Sequence, residues 1–187
     1  MNLFAVFDTE TTGIPKHPNA KDEVQPRIIE FGAALVDYTG KVYKEFECLF
    51  NPGVKLEPII TKITGLTDED LADQPTYEQQ AAEIRTFFGM AEAVIAHNLP
   101  FDSTILDLEE KRLGNESFPF PYIKLCTVQE NAERWGRRPK LTEMYEEVTG
   151  EKLAQSHRAL DDVHALVEVC IKTGLLHEIH TAIESQN

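Results

Sequence analysis

The hydrophobic pattern of this chain changes period once, and that change limits the folds open to it. Leu3 to Phe7 is a short apolar run, the pattern of a buried strand. Residues 27–37 (RIIEFGAALVD) are rich in β-formers, Tyr38-Thr39-Gly40 signals a turn, and residues 41–50 (KVYKEFECLF) alternate apolar with polar. Together they predict a second strand hairpinned to a third. After Asn51-Pro52-Gly53 the spacing becomes three- and four-residue. It predicts a short capped helix at 67–71, then helices at 76–88, 101–113, 127–135, 142–148, 158–173 and 175–184. Residues 93–96 and 123–125 are brief apolar runs between them and read as strands. Residues 9–26, with Gly13, Pro15, Pro18 and Pro26, predict a loop. Three meandering strands followed by strands alternating with helices imply an α/β fold. Its sheet is mixed and five-stranded, three strands antiparallel and then two parallel, flanked by helices. No repeat or linker interrupts the pattern, so residues 1–187 are expected to form a single domain.

Composition narrows the setting. No apolar run approaches the roughly 20 residues that a bilayer crossing needs, and the N-terminus lacks the charged and apolar regions of a signal peptide. Cys48, Cys126 and Cys170 are odd in number and widely spaced, which argues for packing thiols and a cytoplasmic location with no membrane partner. The formal net charge is −14. That excludes tight binding of nucleic acid by a broad basic face. It leaves open a small acidic site that meets phosphate through metal cations.

Three segments offer acids at element boundaries. Asp8 and Glu10 are two apart at the end of the first strand, so both project from the same face. Carboxylates that close repel unless a cation lies between them, and hard oxygen donors suit Mg²⁺ or Mn²⁺. Asp102 lies in the first turn of a helix, favoured by the helix dipole, just after His97 and Asn98. Asp162 shares a helix face with Leu166 and Val169 and should point inward, whereas Asp161 is turned toward solvent. His157 precedes the same helix. Each segment alone also fits a solvated strand end or an acidic helix start. In this order, each at an element boundary, they suit a metal site whose ligands converge from separate elements.

These segments carry a resemblance. Phe7-Asp8-Thr9-Glu10-Thr11-Thr12-Gly13, His97-Asn98-Leu99-Pro100-Phe101-Asp102 and His157-Arg158-Ala159-Leu160-Asp161-Asp162 resemble the three motifs of the DEDDh (DnaQ-like) 3′→5′ exonucleases. That group includes the proofreading subunit of bacterial DNA polymerase III, ribonuclease T and the TREX enzymes. Residues 27–33 and Ile63-Thr64-Gly65-Leu66-Thr67 are similar to its secondary signatures. The resemblance runs from Leu3 to about Val169 and implies a ribonuclease H-like fold. It implies that Asp8, Glu10, Asp102 and Asp162 bind two divalent metal ions, Mg²⁺ or Mn²⁺. His157 would then be the general base. It further implies contacts to the terminal nucleotides from Thr11, Thr12, Ile63, Gly65, Leu66, Asn98 and Phe101, and a structural part for Glu30.

The expected reaction removes 5′-mononucleotides from a 3′ end, with His157 taking a proton from the attacking water. Histidine suits that task because its ordinary pKa, about 6.5, lies near neutrality. DNA is the favoured substrate, in proofreading or repair, and a polymerase partner stays open. Two other readings compete: an exoribonuclease that trims RNA or short oligonucleotides, and a catalytically silent protein-binding module, which the intact acid set disfavours. The basic cluster Arg134-Trp135-Gly136-Arg137-Arg138-Pro139-Lys140 is either a phosphate contact near the site entrance or a loop balanced by nearby acids. His97 should support the turn before Asn98. His17, His164, His177 and His180 have no evident partner in the sequence.

Overall fold

The computed structural model describes residues 2–154 and 157–185. Its first strand outruns its apolar stretch: β1 spans Phe4–Thr11 and pairs antiparallel with β2, Ile28–Val36. The loop expected from Thr9 therefore begins only after Thr11. Thr-Glu-Thr carries no apolar alternation to announce a strand; its partner β2 supplies the hydrogen bonds that make it one. Within the remaining loop, Asp22–Val24 forms a short 3₁₀ turn. β2 is buried along its whole length, between β1 and β3, Val42–Leu49. β3 is an edge strand whose exposed Lys44, Glu45 and Glu47 discourage pairing with another chain.

Helix α1, Pro58–Thr64, was not expected. It has proline at its start and Gly65 at its end, the usual asymmetry of helix termini. Seven residues with one buried side chain are too few to show a period. α2, Asp68–Ala72, starts at the Thr67–Asp70 capping box. α3 is Tyr77–Phe88, β4 Ala93–Ala96, α4 Leu99–Arg112 and β5 Ile123–Cys126. α5, Thr127–Trp135, α6, Leu141–Thr149, α7, Ala159–Lys172, and α8, Leu175–Glu184, complete the fold. The sheet order is β3-β2-β1-β4-β5, with β1, β4 and β5 parallel. No described helix is long and apolar enough to cross a membrane.

The sheet separates two cores, and side-chain parity along β1 decides which residue meets which. Ala5 and Phe7 face Ile84, Phe87 and Phe88 of α3 and Ile105 and Leu106 of α4. Phe4 and Val6 face Val163, Leu166 and Cys170 of α7 and Leu176 of α8. By the two-residue period of a strand, Asp8 and Glu10 share the α7 side, and Thr9 shares the α4 side.

α7 can approach because β2 carries a glycine opposite its start. A Cβ on Gly32 would lie 2.5 Å from the Leu160 nitrogen and 2.6 Å from the Ala159 carbonyl carbon. Two residues earlier, on the same face of β2, Glu30 is fully buried. Burial raises its pKa, and Arg158 opposes that rise. The Arg158 Nε donates to Glu30 Oε1 at 2.8 Å, and its Nη2 donates to Glu47 Oε1 at 3.1 Å. Glu30 is thus the buried anchor of the chain entering α7.

Cys126 and Cys170 are buried and Cys48 is half-buried; all three are free. All four histidines without an evident sequence partner have one: His17 Nδ1 accepts from Asn19 N at 3.2 Å and His177 Nδ1 meets Thr181 Oγ1 at 3.1 Å, while His164 Nε2 meets Glu45 Oε1 at 2.6 Å and His180 stacks on Tyr38 at 4.3 Å. The partners of His164 and His180 are distant in sequence, so no local pattern reveals them.

Replacing Gly32 with alanine should push the start of α7 from the sheet. The expected cost is about 1–3 kcal/mol, as for an overpacked core, with far-ultraviolet circular dichroism retained. Urea denaturation measures it; an unchanged midpoint would show that α7 need not sit so close.

Candidate active site

β1 delivers the first two acids at an irregular place. Between Glu10 and Thr11 the register with β2 shifts, with Glu10 opposite Glu30 but Thr11 opposite Ile28, so Ile29 is the extra residue of a bulge. Bulges re-aim side chains and recur beside active sites. Here one falls directly after Glu10.

Asp102 arrives from the opposite side of the sheet. It lies in the first turn of α4, where the helix dipole favours an acid, and is 2% exposed. Its Oδ1 accepts from the backbone nitrogen of Thr9 at 3.1 Å and from Thr9 Oγ1 at 2.8 Å. The residue between Asp8 and Glu10 therefore fastens the third acid to the same strand end. The motif gives Thr9 no such part, since only the fold brings residue 102 beside residue 9.

The α7 side supplies the rest. Asp162 is half-buried, Asp161 is exposed, and His157 stands ahead of the helix. Glu10, His157 and Asp162 each offer a ligand atom, and these atoms lie within 4.8 Å of one another. Two non-glycine residues among those described have positive φ: His157 at 49° and Asn98 at 72°. That conformation costs an ordinary residue energy and persists where surrounding structure enforces it. Both residues flank the acids.

The electrostatics are those of like charges confined together. Burial raises the Asp8 carboxyl well above its ordinary pKa, and Asp102, Glu10, Asp162 and Glu30 add to the rise. Glu10 is pushed up to about 8 by burial, then by Asp162, Glu30 and Asp102. Burial pushes Asp102 up to about 7 against the pull of its bonds from Thr9. Asp162 is also raised by burial, and His157 opposes that. All four sequence-predicted acids thus sense one another or His157. Such a group of oxygen donors can hold divalent cations and, with an imidazole beside it, can manage a proton.

The exonuclease family model (RNase_T) matches residues 5–170. The chain belongs to the exonuclease family. The proteins named DNA polymerase III PolC-type from Caldanaerobacter subterraneus subsp. tengcongensis and from Staphylococcus aureus (strain bovine RF122 / ET3-1) are 32% and 30% identical to it, each over 90% of this chain. The exonuclease spans only 11% of either relative's length. Among solved structures it resembles the nuclease domain of 3′hExo, a DEDDh family member bound to rAMP, with TM-score 0.74 and 16% identity over 92% of this chain and 91% of that one. Exonuclease I matches with TM-score 0.76 and 18% identity over 97% and 44%. Exonuclease X in complex with 5′ overhanging duplex DNA matches with TM-score 0.62 and 23% identity over 91% and 93%. The fold is accordingly ribonuclease H-like.

The softer expectations divide. Thr12 is half-buried, and its Oγ1 accepts from Arg27 N at 2.9 Å. Thr11 is buried and donates to the Gly13 carbonyl at 2.6 Å. Ile63 and Gly65 are exposed, and Ile63 lines a cavity of about 620 Å³ with Thr12, Gly13 and Ile14. Leu66, at 6% exposure, packs instead with Ile29 and Leu71. Phe101 packs partly against the α3–α4 core. Asn98 occupies the N-cap of α4 without capping it through its side chain; its Oδ1 accepts from Arg138. His97 supports that turn as expected, meeting Thr127 Oγ1 at 2.9 Å and the Pro139 carbonyl at 3.2 Å.

These shifts predict a pH response for the metal-free protein. Glu10 holds its proton to about pH 8 when folded and to about 4.5 when unfolded, so its contribution to stability is complete below 4.5 and is lost as pH rises through 8. Asp102 behaves alike, up to about 7. His97, lowered to about 4 by burial, acts oppositely, removing stability as pH falls from 6.5 toward 4. Between pH 6.5 and 8 only the acids act, so Tm without metal should fall. Glu10→Gln should flatten that slope; an equal slope in the variant would contradict it.

Proposed function

We propose that this exonuclease acts on the 3′ end of DNA, with two divalent cations, Mg²⁺ or Mn²⁺, held by Asp8, Glu10, Asp102 and Asp162. The observation that carries the reading is the convergence of these acids beside His157, with Glu10, His157 and Asp162 in ligand range of one another. Carboxyls whose ionisation is disfavoured by burial and by each other gain most from a cation, and hard oxygen donors suit those two metals. The DEDDh family generally works with divalent metals. When bound, such ions supply Lewis-acid activation of the attacking water and neutralise the leaving oxygen.

The chain's own residues have separate tasks. His157 accepts the proton of the attacking water on an imidazole nitrogen. Thr9 holds Asp102 in place through two hydrogen bonds. Asp161 stays outside the site. The water's oxygen adds to phosphorus, the bond to the 3′-oxygen breaks, and a 5′-mononucleotide leaves. Thr12, Ile63, Gly65, Asn98 and Phe101 offer the surface for the terminal nucleotides, while Thr11 and Leu66 act from beneath it.

DNA is favoured over RNA because the curated relatives are DNA polymerases whose matching part covers 90% of this chain. In that reading the chain serves as one exonuclease domain in the cytoplasm, proofreading or repairing, with a polymerase as a fitting partner. Trimming of RNA is the competing reading, and matched DNA and RNA substrates discriminate the two.

Two outcomes are expected. A 5′-labelled oligonucleotide should shorten stepwise from its 3′ end with Mg²⁺ or Mn²⁺ and persist with chelator; metal-independent shortening would refute the metal role. His157→Ala should lose roughly 10²–10⁴ in kcat, the usual share of a general base. It should keep the wild-type circular dichroism and the Mn²⁺-induced rise in Tm. A fully active His157→Ala protein would remove that residue from the reaction.

A further inference from the structure

We propose that Arg138 grips a backbone phosphate of the strand being degraded, one position upstream of the phosphate cleaved. This rests on the function proposed above. In a chain of net charge −14, a cation placed at the site is scarce, and the end of α5 and the loop to α6 dispose of their arginines unequally. Arg134 pairs with Glu147. Arg137 makes a two-pronged pair with Glu143 at 2.7 and 2.8 Å and lies over the Trp135 ring at 5.3 Å. Arg138 has no carboxylate partner among the described residues; its Nη2 donates to the neutral Asn98 Oδ1.

That one bond fixes where the charge sits. Asn98 is the N-cap of α4, and Asp102 lies one turn further along the same helix. The neighbouring Pro139 carbonyl is joined to His97 Nε2, whose other nitrogen meets Thr127. Burial keeps His97 neutral down to about pH 4, so Nε2 donates and Nδ1 accepts. The loop is therefore pinned against the turn that begins α4 by two adjacent residues. Asn98, which holds the guanidinium, precedes Asp102 by four positions, roughly 6 Å of helical rise.

A guanidinium has five N–H donors in a planar fork that matches phosphate. Asn98 takes one of them and neutralises no charge. Arg138 is exposed, and none of the four acids contacts it among the described residues; its place is set by Asn98, which begins the helix that carries Asp102. The cleaved phosphate belongs among the carboxylates and their cations, so the phosphate within reach of Arg138 is its upstream neighbour. With the overall attraction of an acidic protein for DNA weak, a local phosphate contact of this kind helps to register the strand.

The test compares two substrates in the full chain with Mn²⁺: a single-stranded DNA oligonucleotide, and the p-nitrophenyl ester of thymidine 5′-phosphate, which has no upstream phosphate. Arg138→Ala should raise KM for the oligonucleotide about 5–20-fold with kcat little changed. That loss should exceed any loss on the ester by at least fivefold. The dependence of log KM on log salt should weaken by about 0.7, the value of one phosphate contact on a single strand. Arg138→Lys should recover part of the KM, and Arg137→Ala, which removes a charge already paired, should match the wild type. Equal losses on both substrates would overturn the inference, because Arg138 would then act by positioning Asn98. So would an unchanged oligonucleotide KM. Absence of wild-type activity on both substrates would instead bring down the function on which the inference rests, and the inference with it.

Discussion

Four carboxyls that repel one another are confined to one place, and the rest of the architecture answers to that constraint. Burial and mutual charge both oppose their ionisation. Such an arrangement does not assemble for its own stability; it has to be held by something else. The hydrophobic cores on the two faces of the sheet supply the holding force, at roughly 25 cal/mol for each Å² of apolar surface removed from water. A cation would turn the repulsion to attraction, so folding energy stored against the acids becomes affinity for metal.

The confinement works because each acid is secured by a group outside the set. Asp102 is tied through Thr9 to the strand that carries Asp8 and Glu10. Asp162 depends on how closely α7 meets β2, which Gly32 permits and the pairing of half-exposed Arg158 with buried Glu30 fixes. Removing one partner of such a pair leaves an uncompensated buried charge, so Glu30 belongs to the support of the site, with no contact to substrate required. The positive φ values of His157 and Asn98 fit the same view: both lie where chain direction is dictated by the acids' neighbours.

An acidic chain that handles nucleic acid is less paradoxical once the charges are located. Arg134 and Arg137, two of the basic residues between Arg134 and Lys140, are spent on α6 carboxylates. In the reading proposed above, the substrate meets a set of acids suited to cations, while Arg138 is held at the start of α4 by Asn98. Binding through a few local contacts releases few counterions, which suits an enzyme that must shift along its strand after each cut.

The periods of the sequence determined that there would be five strands in this order, since alternation and three- to four-residue spacing are local properties. The spacing of Asp8 and Glu10 fixed their common face, and the stripe of Leu166 and Val169 set Asp162 inward, for the same reason. α1 escaped because seven residues cannot display a helical period, and the extension of β1 escaped because Thr9 to Thr11 become strand only by pairing with β2. Only the tertiary structure decided that Asp102 reaches the site from the far side of the sheet through Thr9, and that Arg138 overlies Asn98 while Arg137 turns to Glu143. These are meetings between residues tens of positions apart or choices between adjacent arginines of equal chemistry. Side-chain type and local spacing carry no information about which element folds beside which.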